Sequence, residues 1–151
     1  RNDVKEVQTI LKKGVSPDTR RKSDGTPGII IAARNSSGRM MEALLEAGAN
    51  PNLSDRTRGE TALMIRALAG DLGQVKMLLE NSADPDRADI GQETALMKAV
   101  RARKYRVVKA LLEVGADPNV QDLSGKTALE YAKISRSRRM IRALQDAGAT
   151  Y

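Results

Sequence analysis

The sequence predicts an all-α repeat solenoid, and three observations carry that reading. First, the six letters GETALM at Gly59 to Met64 return as QETALM at Gln92 to Met97 and as GKTALE at Gly125 to Glu130, which sets Leu63, Leu96 and Leu129 33 residues apart. Second, Pro17, Pro51, Pro85 and Pro118 follow one another at steps of 34, 34 and 33. A fixed period of this size marks a stack of supersecondary units. Third, each period carries an apolar stripe at helical spacing: Met40, Met41, Leu44 and Leu45; Val75, Leu78 and Leu79; Val107, Val108, Leu111 and Leu112; Met140, Ile141 and Leu144. One such helix cannot hide its stripe alone, so stacking must hide it.

The units can be taken in order. Residues 1–19 supply a single helix followed by a turn, and begin inside a repeat, so the expectation is an N-terminal part that was trimmed, is disordered or belongs to a larger protein. Four complete units follow, at 20–52, 53–86, 87–119 and 120–151, giving about five units in one domain spanning 1–151. Within a unit, Thr-Ala-Leu opens a first helix, a second amphipathic helix ends in paired apolar residues, and a Gly-Ala-Asp/Asn-Pro turn leads onward. Thr61, Thr94 and Thr127 stand where a hydroxyl can accept from the orphan N–H groups of a first turn. Gly14, Gly48, Gly115 and Gly148 follow the second helix, where a left-handed residue ends it, and Ser82 stands in that place in the third unit.

The pattern D-x-x-G-x-T-A-L, as at Asp122 to Leu129, together with VVKALLEVGADPN at Val107 to Asn119 and the 33-residue step, resembles the ankyrin repeat over nearly the whole chain. The resemblance implies a β-turn finger and two antiparallel helices per unit. It also implies a non-enzymatic protein-interaction module whose fingers and first helices line a concave groove. Carried over residue by residue, the groove comprises Arg34, Asn35, Leu68, Arg101 and Ile134 from first helices and Arg58, Glu60, Ile90, Glu93, Leu123 and Lys126 from fingers. Leu68, Ile90, Leu123 and Ile134 are expected to form an apolar contact centre, with Arg34, Arg101 and the acids as its rim. The chain departs from the family's Thr-Pro-Leu-His: alanines 62, 95 and 128 replace the proline, and Met64, Met97 and Glu130 replace the histidine. In the second unit Pro27 and Gly28 displace the capping threonine, and Arg66 occupies a small-residue position that Ala32, Ala99 and Ala132 fill elsewhere.

Catalysis needs a positioned nucleophile, base or metal. The chain has no Cys and no His, which removes Ser-His and Cys-His pairs and ordinary zinc clusters. The carboxylates of Asp55, Asp89 and Asp122 recur with the period and read as turn groups. No Walker loop occurs, so neither an enzyme nor a cofactor is expected. The longest apolar run, Gly28 to Ala33, is too short to cross a bilayer, and the cysteine-free chain suits a cytoplasmic or nuclear, intracellular setting.

The net charge of +7 is uneven: residues 1–97 hold 14 Lys/Arg and 14 Asp/Glu, residues 98–151 hold 12 and 5. An alternative function therefore stands beside the groove. A polyanion, RNA or acidic lipid, would bind the basic edge of residues 98–142 through Arg103, Lys104, Tyr105, Arg106, Arg136, Arg138 and Arg139. The competing explanation is a polar outer face that keeps the terminal repeat in solution. A third reading is an engineered scaffold, suggested by the lack of Cys, His, Phe and Trp; irregular repeats argue against a consensus design.

Overall fold

The computed structural model describes residues 4–150. Among them are nine helices and no strands: α1 Val4–Lys12, α2 Gly28–Arg34, α3 Gly38–Glu46, α4 Ala62–Ala69, α5 Leu72–Glu80, α6 Ala95–Arg101, α7 Tyr105–Glu113, α8 Ala128–Ile134 and α9 Arg138–Asp146. Helices of seven to nine residues are too short to persist alone in water, so their stability comes from packing. They stack in two rows. α2, α4, α6 and α8 follow one another as first helices, while α1 meets α3, and α5, α7 and α9 touch in succession as second helices.

Between the rows runs one continuous apolar core, from Ile29 to Leu144. Its columns are the repeat read vertically: Ile29, Leu63, Leu96 and Leu129 lie in one, and Ile30, Met64 and Met97 in the next, all buried. With so few rings available, Leu, Ile, Val, Met and Ala fill the thin layers. Arg66 sits in the small-residue column and is buried as well. Two of its guanidinium nitrogens are matched there: Nη1 donates to the Ala33 carbonyl at 2.8 Å and to Ser36 Oγ at 3.0 Å, and Nη2 pairs with Asp71 at 3.2 Å, while Nε is buried without a partner.

The expected caps are in place. Thr61, Thr94 and Thr127 accept from the N–H groups of Met64, Met97 and Glu130. Glu130 also reaches back to accept from the Thr127 N–H at 2.7 Å, closing a capping box. α2 starts behind Pro27, which offers no side-chain cap, and Gly28 brings its chain close to Leu44. Ser82 takes the left-handed conformation of the glycines it replaces, with φ +66°.

Two ladders tie successive units together. In the turn ladder, Asp18, Asn52, Asp86 and Asn119 each accept, through Oδ1, the N–H of a residue one unit on: Asn50, Asp84, Asp117 and Thr150. In the finger ladder the Ile90 N–H donates to the Arg58 carbonyl and the Leu123 N–H to the Gly91 carbonyl, both at 3.0 Å. The fingers themselves are nearly ladder-free, closed by isolated bridges such as Ser54 to Thr61 and Ala88 to Thr94.

Candidate functional site

The fingers and first helices form the face on which the predicted residues meet. Asp55, Asp89 and Asp122 hold the finger turns: each Oδ1 accepts two backbone N–H groups, from Arg58 and Gly59, Gly91 and Glu93, and Ser124 and Lys126 respectively. Arg21 stands in the corresponding place of the first finger, where the Arg21 N–H donates to the Thr26 carbonyl and its guanidinium instead pairs with Asp24.

The remaining oxygens of these aspartates turn toward the first helices. Asp55 Oδ2 takes Arg34 of the preceding unit, Asp89 Oδ2 takes Lys98 Nζ at 2.7 Å, and Asp122 Oδ2 accepts the Tyr131 hydroxyl. Ile31, Ile65, Lys98 and Tyr131 occupy one column of the repeat, so a lysine and a tyrosine replace two aliphatic residues there. Lys98 is nearly buried and also reaches Glu93 at 3.2 Å and Glu60 at 3.5 Å. Arg101 pairs with Glu93 and lies 5.2 Å from the centre of the Tyr131 ring, and Arg34 comes within 4.0 Å of Glu60.

Burial acts against the charge of these groups, and local partners overcome it. For Asp55 burial raises the carboxyl, but the Arg58 N–H and the Arg34 guanidinium leave it below its ordinary value. Burial opposes ionisation at Asp89 too, outweighed chiefly by Lys98, and at Asp122, outweighed by the Tyr131 and Ser124 hydroxyls and two N–H groups. Burial would lower Lys98, yet Asp89 and Glu93 hold it above the usual lysine range. The face is therefore crossed by a connected set of charges, within which Asp55, Asp89, Asp122 and Lys98 are held in their ionised forms.

Into this frame the structure places four exposed apolar side chains. Leu68 is 48% exposed at the end of α4, Ile134 65% at the end of α8, and Ile90 and Leu123 are 66% and 75% exposed at the finger tips. Arg58 and Asn35 are exposed beside them; Lys126 is half-buried, its Nζ donating to Ser124 Oγ at 3.2 Å. Arg34, Arg101, Glu60 and Glu93, expected as a rim, are bound into the charge network. Sequence reasoning missed Lys98, the hub of that network. Its signal was available as a cation in an otherwise apolar or aromatic column, five and nine residues after two acids.

The basic edge begins where the first helices end, in the turns that follow Arg101 and Ile134, away from the fingers. Arg103 and Arg136 adopt left-handed conformations, φ +59° and +54°, in the turns before α7 and α9, where the third unit has Gly70 at +77°. Arg106, Arg138 and Arg139 are exposed. The Lys104 stem folds over Gly70, so tightly that a Cβ at Gly70 would come within 2.5 Å of it. Tyr105 is half-buried beneath the Arg139 guanidinium, 3.6 Å from the ring centre.

Among the described residues no group of acids and other ligating side chains is arranged to hold a metal, and no helix is long and apolar enough to cross a membrane. No curated protein matches the chain. A family model for ankyrin repeats does match, in three copies covering residues 1–89, 29–122 and 88–151. With the finger, paired helices and vertical core columns already visible in the fold, that match across the full length shows that the chain belongs to the ankyrin-repeat family.

Proposed function

We propose that the chain is a non-enzymatic interaction module that binds a protein or peptide in the groove lined by its fingers and first helices. Ankyrin repeats are generally protein–protein interaction modules. The observation that carries the groove reading is the set of four exposed apolar side chains, Leu68, Ile90, Leu123 and Ile134, on a face where Arg34, Lys98, Arg101 and their acids are mutually paired. With most charges of the face already paired, hydrophobic burial is the main gain from contact. Fixed fingers and fixed first helices also present them with little ordering cost on binding.

The test follows from which residues can be changed without disturbing the frame. Reversing Arg34 or Arg101 would set a like charge against Asp55 or Glu93 and confound binding with folding. Leu123→Asp/Ile134→Asp alters only exposed side chains. The expected outcome is capture of a protein from nuclease-treated lysate at physiological salt by the parent, its loss with the double variant, and unchanged circular dichroism. Retention of the same protein by the folded variant would remove this face as the binding site.

A further inference from the structure

The repeat supplies its own controls for the basic edge. Clefts run between neighbouring second helices, built alike but charged differently. The cleft between α3 and α5 has a volume of about 410 Å³ and carries Glu42, Glu46 and Glu80 against one cation, Lys76. That between α5 and α7, about 310 Å³, has Lys76 against Glu80 and Glu113. The cleft between α7 and α9 is larger, about 790 Å³, and sets Lys109, Arg138, Arg139 and Arg142 against Glu113 and Asp146. Lys109 pairs with Glu113 at 3.7 Å, whereas Arg136, Arg138 and Arg142 have no carboxylate partner among the described residues.

The excess is concentrated where the fold itself is already positive. A helix N-terminus carries a partial positive charge that acids relieve and cations aggravate. α5 follows the rule: Asp71 caps it, accepting from the Gln74 N–H at 3.1 Å. α3, α7 and α9 lack such a cap and hold no acid in their first turns, but α3 has a single cation there, Arg39, whereas α7 and α9 together gather Lys104, Arg106, Arg138 and Arg139 at their starts. Arg103 and Arg136 add two more guanidinium groups from strained left-handed positions. An anion at this end would offset the charge of the helix starts and of these guanidinium groups together.

We infer that the face formed by the α7 and α9 starts and the cleft between them binds the phosphate backbone of a nucleic acid, without reading its bases. Arginine dominates the patch, and its planar fork matches phosphate oxygens two at a time. None of the exposed large apolar side chains lies on α9 or in the first turn of α7; one, Ile134, ends α8 two residues before Arg136, and a single side chain gives little to anchor in a bilayer. The Tyr105 ring is covered by Arg139, so a guanidinium rather than an open ring face meets the ligand.

The test is fluorescence anisotropy of a labelled oligothymidylate, titrated with the full chain between about 50 and 200 mM salt. Binding should weaken with salt at a slope of about −0.7 per phosphate contact, and Arg136→Gln/Arg138→Gln/Arg142→Gln should weaken it about tenfold or more. That variant leaves Arg139 on Tyr105. A charge-matched control, Lys12→Gln/Lys13→Gln/Arg39→Gln, should change affinity by less than about twofold, since net charge alone acts weakly beyond a Debye length. Equal losses in both variants would reduce the effect to net charge and overturn the site. So would no binding at the lowest salt, or binding to phosphatidylserine vesicles or polyglutamate in preference to the oligonucleotide. A charge-neutral groove variant, Leu68→Ala/Leu123→Ala, should bind the oligonucleotide as the parent does, which separates this site from the groove.

Discussion

The turn between the two helices of the third unit and the same turn in the fifth share a backbone and invert its chemistry. In the third, Gly70 takes the left-handed position and Asp71 caps α5 while neutralising the buried Arg66. In the fifth, Arg136 takes the left-handed position and Ser137 leaves α9 uncapped by any side chain, with Arg138 and Arg139 behind it. The third turn is what folding alone selects: no Cβ where φ is positive, an acid at the helix start. The fifth accepts strain and like charge together. A left-handed residue other than glycine also stands at Ser36 and Arg103, so the strain alone is shared by the stack; what sets the fourth and fifth turns apart is that the residue held there is an arginine.

The comparison breaks most visibly at Asp71. Replacing it with alanine removes a cap and leaves the Arg66 guanidinium buried without its counter-ion, for an expected loss of about 3 kcal/mol. Asp71→Asn keeps an oxygen for the Gln74 N–H and removes the charge, so it should lose about half as much. Urea denaturation of both variants would check this. Equal losses would mean that the ion pair matters and the cap does not.

Lys98 gives the next effect. Lys98→Met leaves Asp89, Glu93 and Glu60 facing one another in a half-buried site, which should cost about 2 kcal/mol near neutral pH. The sign of the pH dependence follows from the carboxylates. Asp55, Asp89 and Asp122 are held below their ordinary values, so their contribution is present above about pH 4 and is lost as the pH falls through the folded values. Lys98 is raised, so its own contribution disappears only at alkaline pH, above the ordinary lysine range. Protonating Asp89 removes the partner that matters most to Lys98. The stability gap between parent and Lys98→Met should therefore narrow between about pH 5 and pH 2, measured as melting temperature. A gap that is constant across that range would show that the lysine acts by packing alone.

These residues also mark what was legible in the sequence. Periodicity exposed the helices, the threonine caps, the left-handed Ser82 and the placement of Arg66 in a buried column, because each is a local rule repeated at a fixed step. The exposure of Leu68, Ile90, Leu123 and Ile134 was legible for the same reason: the column predicts the direction. What escaped was coupling between columns. Arg34 reaches Asp55 in the next finger, and Lys98 gathers acids from two fingers. Those distances depend on how adjacent units stack, which no single repeat encodes. The left-handed arginines were invisible because the family position is a backbone conformation, and only Gly70 announced it by residue type.

The smallest effect is the most direct way to sharpen the comparison, because it rewrites the fifth turn as the third. Arg136→Gly relieves a side chain held at φ +54° and should raise stability by about 1 kcal/mol. Ser137→Asp supplies the missing acid at the start of α9 and should add about 0.5 kcal/mol. In the double variant the two gains should nearly add, read from urea denaturation, unless the new carboxylate recruits Arg138 instead of the helix N–H groups. The same protein should bind the labelled oligonucleotide more weakly than the parent, since a guanidinium has gone and a carboxylate has arrived. A gain in stability with no loss of nucleic-acid binding would show that the strained arginine is an accident of the terminal repeat. A gain in one coupled to a loss in the other is what a turn shaped by a ligand must produce.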